Sequence, residues 1–294
     1  MSSEAIVYFN IADIAVAVQA DLPITAETFA PKITSFHTDH PGADVIRLHH
    51  HFGLPSDAML QGGKTVYRQA PWAITTVDNH YIYDEYQGVP PDVRQTLRGV
   101  WTADHADGHL YHVDDTRWRM GGNESLTLMP TDQVLLARVL AERRGCLLHA
   151  SGMALWEQGF CFIGHSSAGK STTVTMLREH GTILCDDRIA VRQTPEGFRI
   201  YGTWSHGTVA EISPRSAPLR ALCFIEQAAQ NAAIPLTNRH EVLAHLLPCL
   251  VKPLATADWW ENTLAVAEAL INHVPAYRLQ LDLSGKVVDV LQAL

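Results

Sequence analysis

The sequence has no long apolar run, no excess of basic residues and no cysteine spacing typical of a metal site. Its longest apolar stretches, such as residues 11–18, are far shorter than the ~20 residues that a membrane-spanning helix needs. The net charge of −9 argues against a nucleic-acid partner, because proteins that bind phosphate backbones concentrate Lys and Arg. We therefore expect neither a membrane nor a nucleic acid as the partner of this chain.

The N-terminal segment and the cysteines both predict a cytoplasmic protein. The segment MSSEAIVYFN contains no basic residue and is interrupted by Glu4, so no signal peptide is expected. The five cysteines are odd in number and lie mostly in apolar runs such as GFCFIG and ALCFIE, which predicts buried free thiols in a reducing compartment. Whether the chain forms a homo-oligomer is left open.

The character of the sequence changes near residue 125. Before it, short aromatic and β-branched runs alternate with turn signals such as PGAD and QGGK, which predicts a β-rich (α+β) domain over residues 1–125. After it, a helix from Thr131 or Asp132 to about Arg144 is followed by alternating strands and helices. This alternation is typical of an α/β domain, which we place at residues 126–294.

The expected elements around residue 164 are short. We expect strands at 146–149, 152–156 and 159–163, then a helix over 170–180 that Gly181 ends, then a buried strand over 182–185. A strand, a glycine-rich loop, a helix and a further strand in this order are typical of a βαβ unit.

The segment GFCFIGHSSAGKSTT contains the pattern G-x-x-x-x-G-K-[ST] of a phosphate-binding P-loop, placed between an apolar strand and a helix. Gly164 and Gly169 permit the backbone angles that turn successive N–H groups toward an anion. Lys170 would reach the β- and γ-phosphates, and the Ser171 hydroxyl would bind Mg²⁺. The alternative is a Gly/Ser-rich turn that caps a helix. The predicted ATP-binding residues are Gly164, His165, Ser166, Ser167, Ala168, Gly169, Lys170, Ser171 and Thr172.

Two adjacent carboxylates, Asp186 and Asp187, follow the expected strand at 182–185. The C-terminal ends of strands are where α/β sheets bind ligands, and neighbouring strand residues point to opposite faces. One carboxylate can therefore bind Mg²⁺ while the other takes a proton from an acceptor hydroxyl. Alone, the pair would be interpreted as a solvated turn before Arg188. His149, at the end of the expected strand 146–149, is a further candidate catalytic residue. The alternative is a purely structural role for this histidine.

Residues 147–191, LLHASGMALWEQGFCFIGHSSAGKSTTVTMLREHGTILCDDRIAV, resemble the catalytic domain of the bacterial HPr kinase/phosphorylase family. The shared order is a strand that ends in His, a hairpin, a P-loop, a short helix, and a buried strand that leads into a double Asp. The wider group includes phosphoenolpyruvate carboxykinase. The segments YGTWSHG and RSAPLRALCFIEQA look like HPr kinase-like proteins found beside peptide-modification gene sets, including kinases that tailor lasso peptides. The resemblance covers about residues 126–282.

This resemblance implies a P-loop, HPr kinase-like catalytic domain that uses ATP and Mg²⁺ to phosphorylate a hydroxyl. It implies that Ser171 and Asp186 bind the metal and that Asp187 is the base. It implies that His149 lies near the acidic pair, where it orients the pair or the phosphate. It also makes Arg215 a candidate for stabilising the transferred charge.

Three features depart from the HPr kinases. Ala150 replaces the Gly that follows their His, Thr172 replaces the Glu that follows their P-loop Ser, and their second, Gly-rich signature is not found. We therefore expect Ser of a peptide or small protein, rather than HPr, as the acceptor, recognised with the help of residues 1–125. Two alternatives stay open: a nucleotide-binding regulatory module with little transfer activity, and a small-molecule kinase.

Overall fold

The computed structural model describes residues 5–252 and 256–294. Contacts divide the described residues into two compact units. The first contains residues 5–139 and 256, and the second contains residues 140–252 and 257–294. The chain is a mixed α/β protein with extensive sheets. This agrees with the predicted combination of helices and β-sheets. No helix within the described ranges combines the length and the apolar character that crossing a bilayer demands.

The first unit contains one eight-stranded sheet. Its elements are β1 (Val7–Ile11), β2 (Ile14–Ala20), α1 (Pro31–Thr34), β3 (Val45–Phe52), β4 (Lys64–Gln69), β5 (Trp72–Val77), β6 (His80–Gln87), β7 (Arg94–Thr102), β8 (Asp107–His112) and α2 (Thr116–Met120). The strand order is β1-β2-β3-β8-β7-β6-β5-β4. The pairs β2–β3 and β3–β8 are parallel, and the other neighbouring pairs are antiparallel.

A buried ion pair joins two central strands of this sheet. Arg98 on β7 lies directly opposite Asp84 on β6 and is 1% exposed. The Arg98 guanidinium donates to both oxygens of Asp84, at 2.6 and 2.9 Å, and Gln95 donates to the same carboxylate at 2.7 Å. Because neither charge can turn to solvent, removing one of them would leave the other buried without its partner.

The second unit follows helix α3 (Gln133–Glu142), which contains the point of division. Its elements are β9 (Gly145–Leu155), β10 (Gln158–Ile163), α4 (Lys170–Met176), β11 (Gly181–Cys185), β12 (Arg188–Thr194), β13 (Gly197–Tyr201), β14 (Ser216–Gln227), β15 (Ala232–Pro235), α5 (Arg239–Leu246), α6 (Ala257–His273), β16 (Ala276–Leu281) and α7 (Val287–Gln292). Four of the five cysteines, all in this unit, are buried free thiols, and Cys249 is half-buried. Burial raises the pKa of Cys146 to about 12, which keeps its thiol protonated.

Strand β9 determines how the ends of its neighbours are arranged. Its C-terminal half pairs antiparallel with both β10 and β11, so these two strands run in the same direction with β9 between them. Its N-terminal half pairs with β12, and His149 lies opposite Arg188. The C-terminal ends of β10 and β11 therefore reach the same edge of the sheet.

The expectation of two strands at 146–149 and 152–156 is wrong, because β9 is continuous. The two expected strands were separated only by residues 150 and 151. In the structure a Cβ on Gly152 would lie 2.6 Å from the side chain of Ile189, so glycine permits close packing here rather than a turn. His149 consequently lies inside a strand and does not end one.

The helix expected over 170–180 is shorter than predicted. The α-helix ends at Met176, and residues 178–180 form a 3₁₀ turn in which the His180 N–H donates to the carbonyl of Leu177. Tightening of a last helical turn in this way satisfies carbonyls that a helix end leaves without partners.

We expect Asp84→Ala to destabilise β6 and β7 by about 3–5 kcal/mol, since it leaves the Arg98 charge buried. Asp57 is the matched control, because it also accepts a hydrogen bond from Arg98, at 2.9 Å, but its side chain is 81% exposed. Asp57→Ala should cost less than about 1 kcal/mol. Hydrogen exchange of peptides from β6 and β7 measures both opening free energies, and equal values would refute the assignment.

Candidate functional site

The segment between β10 and α4, residues 164–169, is called the glycine loop here. It folds around the side chain of Lys170, the first residue of α4. The Lys170 ammonium donates to the carbonyl of Gly164 at 2.9 Å and to that of His165 at 3.1 Å. Burial lowers the pKa of this lysine. The loop therefore holds a largely buried ammonium group at the start of a helix.

The backbone of the glycine loop has an unusual conformation. Ser167 and Gly169 have positive φ angles of 66° and 105°, and a Cβ on Gly164 would lie 2.6 Å from that of Ala168. A non-glycine residue with positive φ is uncommon, and such angles occur in the N–H concavities that bind anions. The first amides of α4 also have no partner within the helix. The loop thus shares these backbone features with loops that bind anions.

Asp186 is buried directly after β11. Its carboxylate accepts hydrogen bonds from the Ser171 hydroxyl at 3.0 Å, from the Val209 N–H at 2.9 Å and from the Gly207 N–H. A hydroxyl oxygen and a carboxylate oxygen at this separation are hard ligands of the kind that Mg²⁺ prefers. The pair formed by Ser171 and Asp186 is therefore the candidate metal site.

Asp187 lies in a different environment from Asp186 and is half-buried. Its carboxylate contacts the guanidinium of Arg188 and accepts a hydrogen bond from the Ser205 hydroxyl at 3.3 Å. His149 Nε2 lies 3.6 Å from Asp187 Oδ1. The Arg188 Nε is a buried donor that has no hydrogen-bond partner in the part of the chain that the structure describes. The Asp187 carboxylate is thus half-buried and held by side chains alone, with an unpaired donor on the adjacent residue.

The pKa of His149 is lowered from its ordinary value. Burial is the largest cause, and the charges of Arg188 and Lys170 add to it, while Asp187 acts in the opposite direction. The imidazole is therefore mainly neutral at pH 7, when it can accept or donate one hydrogen bond.

These groups line one cavity of about 350 Å³ in the second unit. Its lining residues are His149, Ser166, Ser167, Gly169, Lys170, Ser171, Thr172, Asp186, Asp187, Gly207, Thr208 and Gln227. Of the remaining predicted nucleotide-binding residues, Ala168 is buried behind the loop, and Gly164 and His165 line a neighbouring cavity. The structure thus brings together the two carboxylates, the lysine, the serine and the histidine that the sequence singled out.

Arg215 lies at a different place. Its guanidinium donates to the Thr182 hydroxyl at 3.1 Å and is 3.7 Å from Glu157. Thr182 is near the start of β11, whereas Asp186 follows the end of that strand, and four residues of strand span about 13 Å. Arg215 is not among the residues that line the cavity of Asp186 and Asp187.

Several lining or adjacent residues were missed by sequence analysis, namely Arg188, Ser205, Gly207, Thr208 and Gln227. Arg188 was interpreted only as the end of a possible solvated turn. Ser205 and Gly207 belong to the segment YGTWSHG, which contributed to the family resemblance but received no role. Their polar and glycine-rich composition is the signal that could have found them. Nothing in the sequence around Gln227, which lies at the end of β14, distinguishes it.

A second cavity, of about 680 Å³, shares His149 and Ser166 with the first. Its walls are largely apolar and include Ile163, Phe224 and Leu236. A cavity of this size and character is typical of sites for small organic molecules or for the base of a nucleotide.

Comparison with known proteins identifies the family. Residues 120–294, more than half of the chain, match the family described as "SynChlorMet cassette protein ScmC". The chain belongs to this family. No curated protein matches the sequence.

Among solved structures, the chain is similar to the Hpr(Ser) kinase/phosphatase from Coxiella burnetii. The match has a TM-score of 0.29 and 9% sequence identity, and it covers 50% of this chain and 94% of that chain. A likeness this weak carries no conclusion about activity. The family that the sequence shows is therefore ScmC, and the predicted membership of the HPr kinase family stays a prediction.

We expect the pKa of His149 to be below 6.5 in the parent and to rise in Lys170→Met, because one of the nearby positive charges is removed. NMR titration of the imidazole C–H signals measures this, with the signal assigned by its loss in His149→Gln. Lys286→Met removes a charge from an exposed lysine of the same unit and should leave this pKa unchanged. A rise of equal size in both variants would contradict the proximity of Lys170 and His149.

Proposed function

We propose that this chain binds ATP with Mg²⁺ and transfers the γ-phosphoryl group to a hydroxyl, that of Ser in a peptide or small protein. The observation that carries the proposal is the single cavity in which the glycine loop, Lys170, the Ser171–Asp186 pair and Asp187 meet. Anion-binding amides, a cation, hard oxygen ligands and a partly exposed carboxylate are the groups that phosphoryl transfer requires.

The residues present fit both ATP and Mg²⁺. The Lys170 ammonium, which donates to the carbonyls of its own loop, can donate instead to phosphate oxygens. Ser171 and Asp186 would hold Mg²⁺, since each offers an oxygen and both line the cavity. When bound, the metal neutralises charge on the phosphates and orients them for transfer.

The reaction moves one phosphoryl group and one proton. The acceptor oxygen forms a bond to the γ-phosphorus while the bond between that phosphorus and the bridging oxygen of ADP breaks. Asp187 takes the proton of the acceptor hydroxyl, because its carboxylate lies in the cavity and is not held by backbone amides as Asp186 is. The different environments of the two carboxylates thus support different roles.

His149 and Arg188 would position these groups. His149 lies 3.6 Å from the Asp187 carboxylate and is held mainly neutral, so it can orient that carboxylate without neutralising it. Arg188 contacts Asp187, and its unpaired Nε can donate to an acceptor or phosphate oxygen.

The family description supports a peptide or protein acceptor. A cassette protein is consistent with a peptide-modification gene set, in which a neighbouring gene would supply the acceptor. The cavity of about 680 Å³ favours a second candidate function, a small-molecule kinase, because it shares His149 with the first cavity and could hold a compact substrate. Recognition of the acceptor by residues 1–125 stays a prediction.

We expect Lys170→Met to weaken binding of ATP–Mg²⁺ by on the order of 100-fold, because it removes a cation that the fold holds ready for phosphate. Calorimetric titration measures this, with Lys286→Met as the control for loss of one exposed positive charge. Binding of ATP by Lys170→Met as tightly as by the parent would exclude a role of the glycine loop in phosphate binding.

We expect Asp187→Asn to keep ATP binding but to lower phosphoryl transfer by about 10²–10⁴-fold, since the amide has the shape of the carboxylate without its basicity. Asp186→Asn should instead raise the Mg²⁺ concentration that half-saturates the reaction. Arg188→Ala should reduce transfer more than Arg215→Ala, because Arg188 contacts Asp187, whereas Arg215 contacts Thr182 and Glu157.

Transfer is measured with γ-labelled ATP and an extract of the source cell, or with the peptides encoded beside the gene. Label in polypeptide supports the peptide kinase, and label in small soluble products supports the second candidate. ATP binding without transfer to either fraction would favour a regulatory module. Full transfer by Asp187→Asn would exclude Asp187 as the base.

A further inference from the structure

Three histidines of the first unit lie together on one face of its sheet. His49 and His51 are two residues apart on β3, so their side chains share a face, and His109 on β8 lies directly opposite His49. One ring nitrogen from each histidine lies within 4.8 Å of those of the other two. His51 Nε2 and His109 Nδ1 are 2.9 Å apart.

Carboxylates contact the other sides of these rings. Asp21, directly after β2, lies 2.9 Å from His49 Nε2 and 2.9 Å from His51 Nδ1. Asp107 lies 3.5 Å from His109 Nε2. In metal sites, a carboxylate commonly accepts a hydrogen bond from the imidazole nitrogen that does not bind the metal, and so fixes the ring. The ring of His51 also stacks on Tyr111, with centroids 4.6 Å apart.

The pairing of β3 with β8 supplies a third histidine that the run His49–His51 alone cannot supply. Adjacent residues of a strand point to opposite faces, so His49, His50 and His51 cannot all bind one ion. In the structure His50 indeed points to the other face, where it is buried 2.9 Å from His112. The third ligand on the open face comes from β8, which the sequence did not place beside β3.

We propose that His49, His51 and His109 bind one Zn²⁺ ion, with the fourth position taken by water and with Asp21 holding the rings of His49 and His51 from their other side. Zinc bonds to imidazole nitrogens are about 2.0–2.1 Å long, so tetrahedral ligand atoms lie roughly 3.3 Å apart. The nitrogens of His51 and His109 are 2.9 Å apart, and all three ligand nitrogens lie within 4.8 Å of one another. Because the rings are stacked at 15–25°, binding one ion requires them to rotate out of this stacking, which their partial exposure permits. The ion would join β3 to β8 and, through Asp21, to the end of β2.

The test uses the full chain without a polyhistidine tag, stripped of metal by chelation and carrying Asp186→Asn to disable the other candidate metal site. Equilibrium dialysis against ZnCl₂ with elemental analysis should give one Zn²⁺ per chain. His49→Ala and His109→Ala should each weaken zinc binding by at least about 100-fold, and Asp21→Asn by about 10–100-fold. His80→Ala, which removes an exposed histidine of the same unit, should bind zinc as the parent does.

A second measurement needs no variant and therefore does not depend on how the substitutions fold. X-ray absorption of the zinc-loaded chain should show three imidazole nitrogens at about 2.0–2.1 Å. Zinc should also raise the Tm of this chain, because the ion binds only the folded state, and should leave the Tm of folded His109→Ala unchanged. The proposal is overturned by the absence of zinc uptake, by a spectrum with fewer than three imidazoles, or by unchanged stoichiometry in folded His49→Ala and His109→Ala.

Discussion

The arrangement of the second unit depends on burying the carboxylate of Asp186. A buried charge is costly unless it is hydrogen-bonded, and this one is satisfied by the Ser171 hydroxyl and by two backbone N–H groups, those of Gly207 and Val209. The three donors come from two segments that are far apart in the chain, the start of α4 and the stretch before β14. Satisfying one carboxylate therefore requires both segments to lie against the end of β11. A Cβ on Gly207 would approach that carboxylate to 3.2 Å, which shows how closely the backbone must come.

The position of β9 explains why the glycine loop and the acidic pair are neighbours. β10 and β11 both pair antiparallel with β9, so the loop that follows one and the carboxylates that follow the other emerge at the same edge. Because His149 lies opposite Arg188 in the pairing of β9 with β12, it is next to Asp187 without any long connection. The geometry of the site thus requires β9 to continue without a break through residues 150–152.

Features formed by residues that are close together in the sequence could be predicted, whereas features formed by residues far apart in the chain could not. The glycine loop, Lys170 and Ser171 form a local pattern, and the buried strand before Asp186 follows soon after it, so spacing and hydrophobicity were sufficient. Ser205 and Gly207 contact carboxylates about twenty residues earlier in the chain, so their local composition could mark them as candidates but could not give their partners. Arg215 became a candidate through the resemblance to the HPr kinases, but only the fold shows that its neighbours are Thr182 and Glu157.

The histidines of the first unit likewise show that contacts between distant parts of the chain cannot be predicted from local sequence. Three histidines in a row, His49–His51, cannot all bind one ion, because neighbouring residues of a strand point to opposite faces. That periodicity also divides them: His50 is buried and pairs with His112, while His49 and His51 face a histidine brought from β8 by a parallel pairing over about sixty residues. The spacing of residues in the sequence does not predict that pairing.

The candidate zinc site and the candidate nucleotide site share no residue and use different ligand chemistry, imidazole in one and oxygen in the other. Their occupancies can therefore be varied independently, and any dependence of phosphoryl transfer on zinc would have to be carried by coupling between the units rather than by a common ligand.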